Sequence, residues 1–161
     1  MSHDVMRRQR VGTDRDGRST ADLHLSGRPD VVAWTIDADA EGRPLAGVHA
    51  YVLHFDRGQA PPAYGFWSLV MHDERSRRTD RSADPPSIGD RTALTFERDG
   101  SLNVFVASVP PPADRRSNWL PAPRGPFHLV LNIYWPRPDV LSGVWVPPPI
   151  ATVDTGLAAG R

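Results

Sequence analysis

The stretch Gly65-Phe66-Trp67-Ser68-Leu69-Val70-Met71-His72 decides the fold. Trp67, Leu69 and Met71 fall on one face of an extended chain, and Phe66, Ser68 and Val70 fall on the other. A period of two places successive side chains on opposite sides, so this is a strand with one oily face turned to a core. Upstream, residues 48–55 repeat the pattern and set Tyr51, Leu53 and Phe55 together. Residues 31–36 (Val-Val-Ala-Trp-Thr-Ile) are rich in β-formers and run into an Asp/Gly/Pro cluster over 37–47. Pro61 and Pro62 break the chain between strands, because proline cannot donate to a central ladder.

Downstream the punctuation continues. Residues 73–86 form a charged loop ending in prolines. Residues 91–96 and 101–107 flank Glu97-Arg98-Asp99-Gly100, and an Asp-Gly step accepts positive φ, so a hairpin is expected there. A proline-rich loop is expected over 109–125. Residues 126–135 return to strand, with Phe127, Leu129, Leu131 and Ile133 inward and His128, Asn132 and Tyr134 opposite. A last strand is expected at Val144-Trp145-Val146, before Pro147-Pro148-Pro149.

No ten-residue stretch carries a clean helical period. About seven short strands between turn clusters give an all-β chain, a β-sandwich of jelly-roll type with long proline-rich loops and little helix. The expected organisation is a flexible N-terminal tail over 1–30, a single β-sandwich domain over 31–153 and a frayed C-terminal tail over 154–161. The tail mixes Arg, Asp, Ser, Thr and Gly with few apolar residues, too little to offset its ordering entropy.

Composition narrows the chemistry. The 161 residues contain no cysteine, which removes disulfides, thiolate metal sites and thiol nucleophiles. All 19 basic residues are arginine, so lysine Schiff-base and general-base chemistry is also excluded. They are matched by 19 acidic residues, and the zero net charge argues against a nucleic-acid partner. No apolar run reaches the length of a membrane span, and the first residues contain no signal-peptide core, so a cytoplasmic location is expected.

Several constellations contain residue types that could carry chemistry. His49, His54, His72 and His128 sit on expected strands, and His49 with His72 would meet only if their strands paired; no metal site or cofactor is expected from them. Ser68 lies mid-strand without the strained elbow of a hydrolase nucleophile. Asp73, Asp90 and Glu97 fall at strand ends, where acids cap and solvate. Arg75, Arg77, Arg78 and Arg81 alternate with acids, which reads as a solvated loop. Asn118-Trp119, stiffened by nearby prolines, either plugs the end of the sandwich or walls a ligand cleft. The candidate ligand-binding residues are therefore Trp67, Asn118, Trp119 and Tyr134.

Several blocks in order carry a resemblance. They are residues 37–47, Tyr51-Val52-Leu53-His54-Phe55, Phe66-Trp67-Ser68-Leu69, Ser87-Ile88-Gly89-Asp90-Arg91-Thr92 and Asp99-Gly100-Ser101-Leu102. Ser117-Asn118-Trp119-Leu120-Pro121, Tyr134-Trp135-Pro136 and Gly143-Val144-Trp145 with Pro147-Pro148 complete them. Over residues 33–150 the chain resembles the bacterial domain of unknown function 1214, which often follows domain 1254 in longer proteins. The resemblance implies a jelly-roll sandwich and brings no reaction with it. Asn132 stands where the family pattern has arginine, and His72 where it has tyrosine. The family habit of pairing with a second domain, together with Trp34, Trp135 and Trp145 as a partly open apolar face, points to a non-catalytic binding or assembly module, a homo-oligomer or one half of a protein complex. The alternative is a small hydrolase or carbohydrate-active enzyme working at the sandwich end near Asn118 and Trp119.

Overall fold

Alternation becomes packing wherever two strands bring their oily faces into register. The computed structural model describes residues 12–13, 19–20, 30–73 and 85–154. Most of the expected N-terminal tail, nearly all of the C-terminal one and the arginines at 75–81 lie outside the described residues.

Ten strands are described: β1 (Gly12–Thr13), β2 (Ser19–Thr20), β3 (Val31–Ile36), β4 (Ala50–Phe55), β5 (Ala63–Asp73), β6 (Ser87–Gly89), β7 (Leu102–Ala107), β8 (Trp119–Pro121), β9 (Phe127–Pro136) and β10 (Ala151–Val153). Among the described residues, helix is limited to a 3-10 turn, Ala113–Asn118, and one turn of α-helix, α1 (Pro138–Leu141). β1 and β2 pair only with each other. The rest form two four-stranded sheets, ordered β10-β4-β7-β8 and β3-β9-β5-β6. Every pairing is antiparallel except β7 with β8, which is parallel.

The centre of the second sheet is the long β5–β9 ladder. Its register opposes Trp67 to Ile133, Leu69 to Leu131 and Met71 to Leu129, and all six side chains are buried. The first sheet answers with Tyr51, Leu53 and Phe55 of β4 and Val104 and Val106 of β7. Tyr51 meets Phe127 edge-on and Phe55 meets Trp67, so the two inner faces form one core. Each such aliphatic side chain contributes about 1.5–3 kcal/mol relative to exposure. The inward sets read from alternation are the inward sets observed.

Three expectations are corrected. Residues 91–96 are not a strand, so there is no hairpin across Asp99-Gly100. The turn itself exists: Gly100 has φ +87° and its N–H donates to the Glu97 carbonyl. But β7 already has β4 on one edge and β8 on the other, leaving no edge for a third strand. Residues 144–146 are also not a strand; Trp145 N–H donates to the Asp139 carbonyl, closing a turn after α1, and the true last strand is β10. Finally, β5 with His72 belongs to one sheet, while the chain at His49 leads into β4 of the other, so those histidines have no shared ladder.

The three tryptophans expected to leave an apolar face open divide. Trp34 and Trp145 are core residues in edge-to-face contact, with centroids 5.7 Å apart. Trp135 alone is in solvent, 62% exposed.

Candidate functional site

Asn118 ends the 3-10 turn and is buried. Its Oδ1 accepts from the Thr95 N–H at 2.7 Å and the Ser117 hydroxyl at 3.1 Å. Its Nδ2 donates to the carbonyls of Thr95 (2.6 Å) and Asn103 (2.9 Å). An amide side chain offers two acceptor positions and two donors, and all four are occupied. The residue fastens the irregular segment 92–96 to the edge of β7. Beside it, half-buried Trp119 donates its Nε1–H to the Ala107 carbonyl at 3.0 Å.

The four candidate residues do not line one recess. Asn118 and Trp119 lie together at the β8 edge of the first sheet. Trp67 points into the core from β5. Tyr134 stacks on Phe66, the residue next to Trp67, and so stands on the outer face of the same sheet. Asn118→Ala is expected to lower stability by about 1–3 kcal/mol, because it unpairs the Thr95 and Asn103 backbone groups. Urea denaturation reads this directly, and an unchanged midpoint would defeat the structural role.

Other polar groups are similarly committed. The Asp39 carboxylate is buried, which pushes its pKa up. The Arg43 N–H, the Thr152 hydroxyl, the Arg43 guanidinium and the Glu41 N–H all donate to it and hold it below the usual range. It is an anion clasping the 39–43 turn to β10, not a proton donor at neutral pH. His54 donates from Nδ1 to Asn103 Oδ1 at 2.6 Å and pairs with Asp56 at 3.2 Å. The Asn103 contact, chiefly, raises its pKa against the opposing effect of burial, with Asp56 assisting. Asp90 accepts the Trp67 N–H, and Glu97 accepts from Asn103. Ser68 is opposite Asn132, and the nearest histidine on its face, His72, is four residues along, about 13 Å away. Among the described residues no three His, Asp or Glu side chains converge as metal ligands.

Sequence reading singled out Tyr134 and Trp135, but it missed that Tyr64, Phe66, Arg91 and Arg137 join them in a strip at the β5–β9 end. A register shift between Ala63 and Phe66 irregularly shapes β5 there. Opposite it, Trp135 adopts φ +51°, and its N–H donates to the Asp30 carbonyl at 2.7 Å. The indole lies over Gly65: a Cβ at that position would come within 2.9 Å of the ring and 2.8 Å of the Tyr134 oxygen. Glycine is what admits the tryptophan. On one side, Tyr64 is 69% exposed, with the Arg137 guanidinium 5.2 Å from its ring centroid. On the other, Phe66 stacks on Tyr134 (4.2 Å, 15°), and Arg91 caps Phe66 at 3.6 Å. Alternation cannot reveal this strip, because the positive φ and the register shift take both strands out of period. The pairing of Pro61-Pro62 before Tyr64 with Pro136 after Trp135 was the available signal.

No helix among the described residues is long and apolar enough to cross a membrane. No curated protein matches the chain. Solved structures similar to it include two of note. The VPA0106 protein from Vibrio parahaemolyticus is 26% identical with a TM-score of 0.64, over 78% of this chain and 31% of that one. A putative uncharacterized protein from Burkholderia cenocepacia is 14% identical with a TM-score of 0.50, over 85% of this chain and 32% of that one, a likeness of fold alone. The chain thus spans about a third of the length of either protein. The profile of the family described as DUF1214, protein of unknown function, matches residues 30–138, which take in both sheets apart from β10. This chain belongs to the DUF1214 family.

Proposed function

We propose that the domain is a non-catalytic binding or assembly module that docks onto another protein surface through Trp135 and the strip around it. One observation carries the reading: a tryptophan held at φ +51° with most of its indole in water. Left-handed backbone costs a residue with a Cβ about 1–2 kcal/mol, and the exposed ring gains little from folding. Tryptophan, tyrosine and arginine are the side chains that dominate binding hot spots, and here all three stand together. The similar solved proteins are more than twice as long as this chain, which gives a domain of this kind other parts to pack against. The alternative, an enzyme acting at Asn118 and Trp119, has less behind it, since the Asn118 amide is taken up by backbone.

Size-exclusion chromatography with light scattering, combined with pull-downs, tests the proposal. The wild-type chain should run as an oligomer or a stable complex. Trp135→Ala should abolish that association while leaving the urea midpoint unchanged or slightly raised, because it removes an exposed ring and no core contact. A wild-type monomer that captures nothing would overturn the reading.

A further inference from the structure

At the far end of the same ladder from Trp135, His72 of β5 lies directly opposite His128 of β9. Their ring centroids are 5.1 Å apart and their planes differ by 8°. Both are half-buried on the outer face of the sheet. We propose that this pair is a two-histidine clasp for a divalent transition metal ion of the Ni(II), Cu(II) or Zn(II) class. Directly opposed strand residues hold their Cβ atoms about 4.5–5.5 Å apart. Metal–imidazole bonds are about 2.0–2.1 Å, so two nitrogens sharing one ion stand roughly 3–3.4 Å from each other. Rotation about the side-chain torsions, opening the parallel stack into a V, brings the nitrogens to that spacing without moving the backbone. A hydrogen bond to one ring nitrogen is compatible with this, since it fixes the tautomer that offers the other nitrogen to the metal.

Imidazole suits these ions, and no thiolate competes for them in this chain. With two protein ligands, the remaining positions are filled by water, so the ion is exchangeable rather than structural. The clasp joins the two central strands where β5 leaves the sheet, so occupancy stabilises the folded state by mass action. It is independent of the Trp135 strip, six residues and about 20 Å along the ladder.

The test uses the untagged full chain at pH 8, above the ordinary histidine range. Calorimetric titration with Ni(II) should show one more bound equivalent for the wild type than for His72→Gln or His128→Gln. The His49→Gln control should match the wild type. A thermal shift with Ni(II) should be reduced to the same extent in both variants. Electron paramagnetic resonance of the His3→Gln chain with one equivalent of Cu(II) should show coupling to two imidazole nitrogens; the substitution takes away the imidazole that would otherwise capture copper together with the amine of Met1 in Met1-Ser2-His3. Wild-type stoichiometry in either single variant, or a copper spectrum without two nitrogens, would overturn the proposal.

Discussion

Gly47→Ala should destabilise the domain by about 3 kcal/mol or more, a large share of the 5–15 kcal/mol that holds a typical domain folded. Gly47 is buried where residues 45–47 cross residues 123–126. A Cβ there would sit 1.6 Å from the Pro123 oxygen, 2.6 Å from its carbonyl carbon and 2.9 Å from the Arg124 Cα. All three are backbone atoms, so no side-chain rotation relieves the overlap. The 123–124 segment must move by more than an ångström, or the Gly47 loop must. Either shift breaks the Gly47 N–H bond to Gly125 (3.1 Å) and the Ser108 hydroxyl bond to Gly47 (2.9 Å). It also disturbs the entry to β9, which pairs with both β3 and β5. Gly42→Ala is the control. Gly42 has φ +78° and nothing within 4 Å of its missing Cβ, so alanine costs only the left-handed penalty of about 1–2 kcal/mol. Denaturant midpoints that rank the two equally would show that the close approach at Gly47 is not a constraint.

Gly47 also marks the boundary of what the sequence made legible. As a letter in the 37–47 cluster it reads as one more turn residue. Its role depends on a chain segment almost eighty residues away, and no local pattern encodes that distance. The same division runs through the fold. Period-two alternation identified the inner faces of β4, β5 and β9, because one buried face fixes side-chain direction residue by residue. It misassigned residues 91–96 because their backbone groups are committed elsewhere: Thr92 N–H to Gly89, Leu94 N–H to Thr92 and Thr95 N–H to the Asn118 side chain. The short strands β6, β8 and β10, three residues each, are too brief to show a period at all. Of the candidate site residues, Asn118 and Trp119 stand together in sequence, and alternation puts Trp67 on an inward face and Tyr134 on an outward one, but nothing local told that those two strands belong to the other sheet. The aromatic strip was legible only in part: Tyr134 and Trp135 stood out, but their gathering with Tyr64 and Phe66 depends on a register shift and a positive φ that no local pattern encodes. Trp135 breaks the alternation that made its neighbours readable.

Trp34→Ala is the second large effect, about 3–5 kcal/mol, or roughly 10–15 °C in the thermal midpoint. Trp34 is the anchor of β3, which among the described residues is an edge strand paired with β9 alone. Its indole is 1% exposed and meets Trp145 edge-on, and Trp145 in turn donates its Nε1–H to the Gln59 carbonyl at 3.0 Å. Alanine leaves a void between β3 and the 143–146 turn and uncovers one face of Trp145. Yet Trp34 carries a defect of its own. Among the described residues its buried Nε1 has no hydrogen-bond partner, a burden worth about 1–3 kcal/mol. Trp34→Phe removes that orphan donor and keeps an aromatic ring against Trp145. The phenylalanine variant should therefore lose much less stability than its reduction in volume implies, and far less than alanine. Chemical denaturation of both variants, with near-UV circular dichroism to follow Trp145, separates the two contributions. If phenylalanine proves as damaging as alanine, the indole N–H is not a burden, and Trp34 is held by a contact that its ring size alone does not supply.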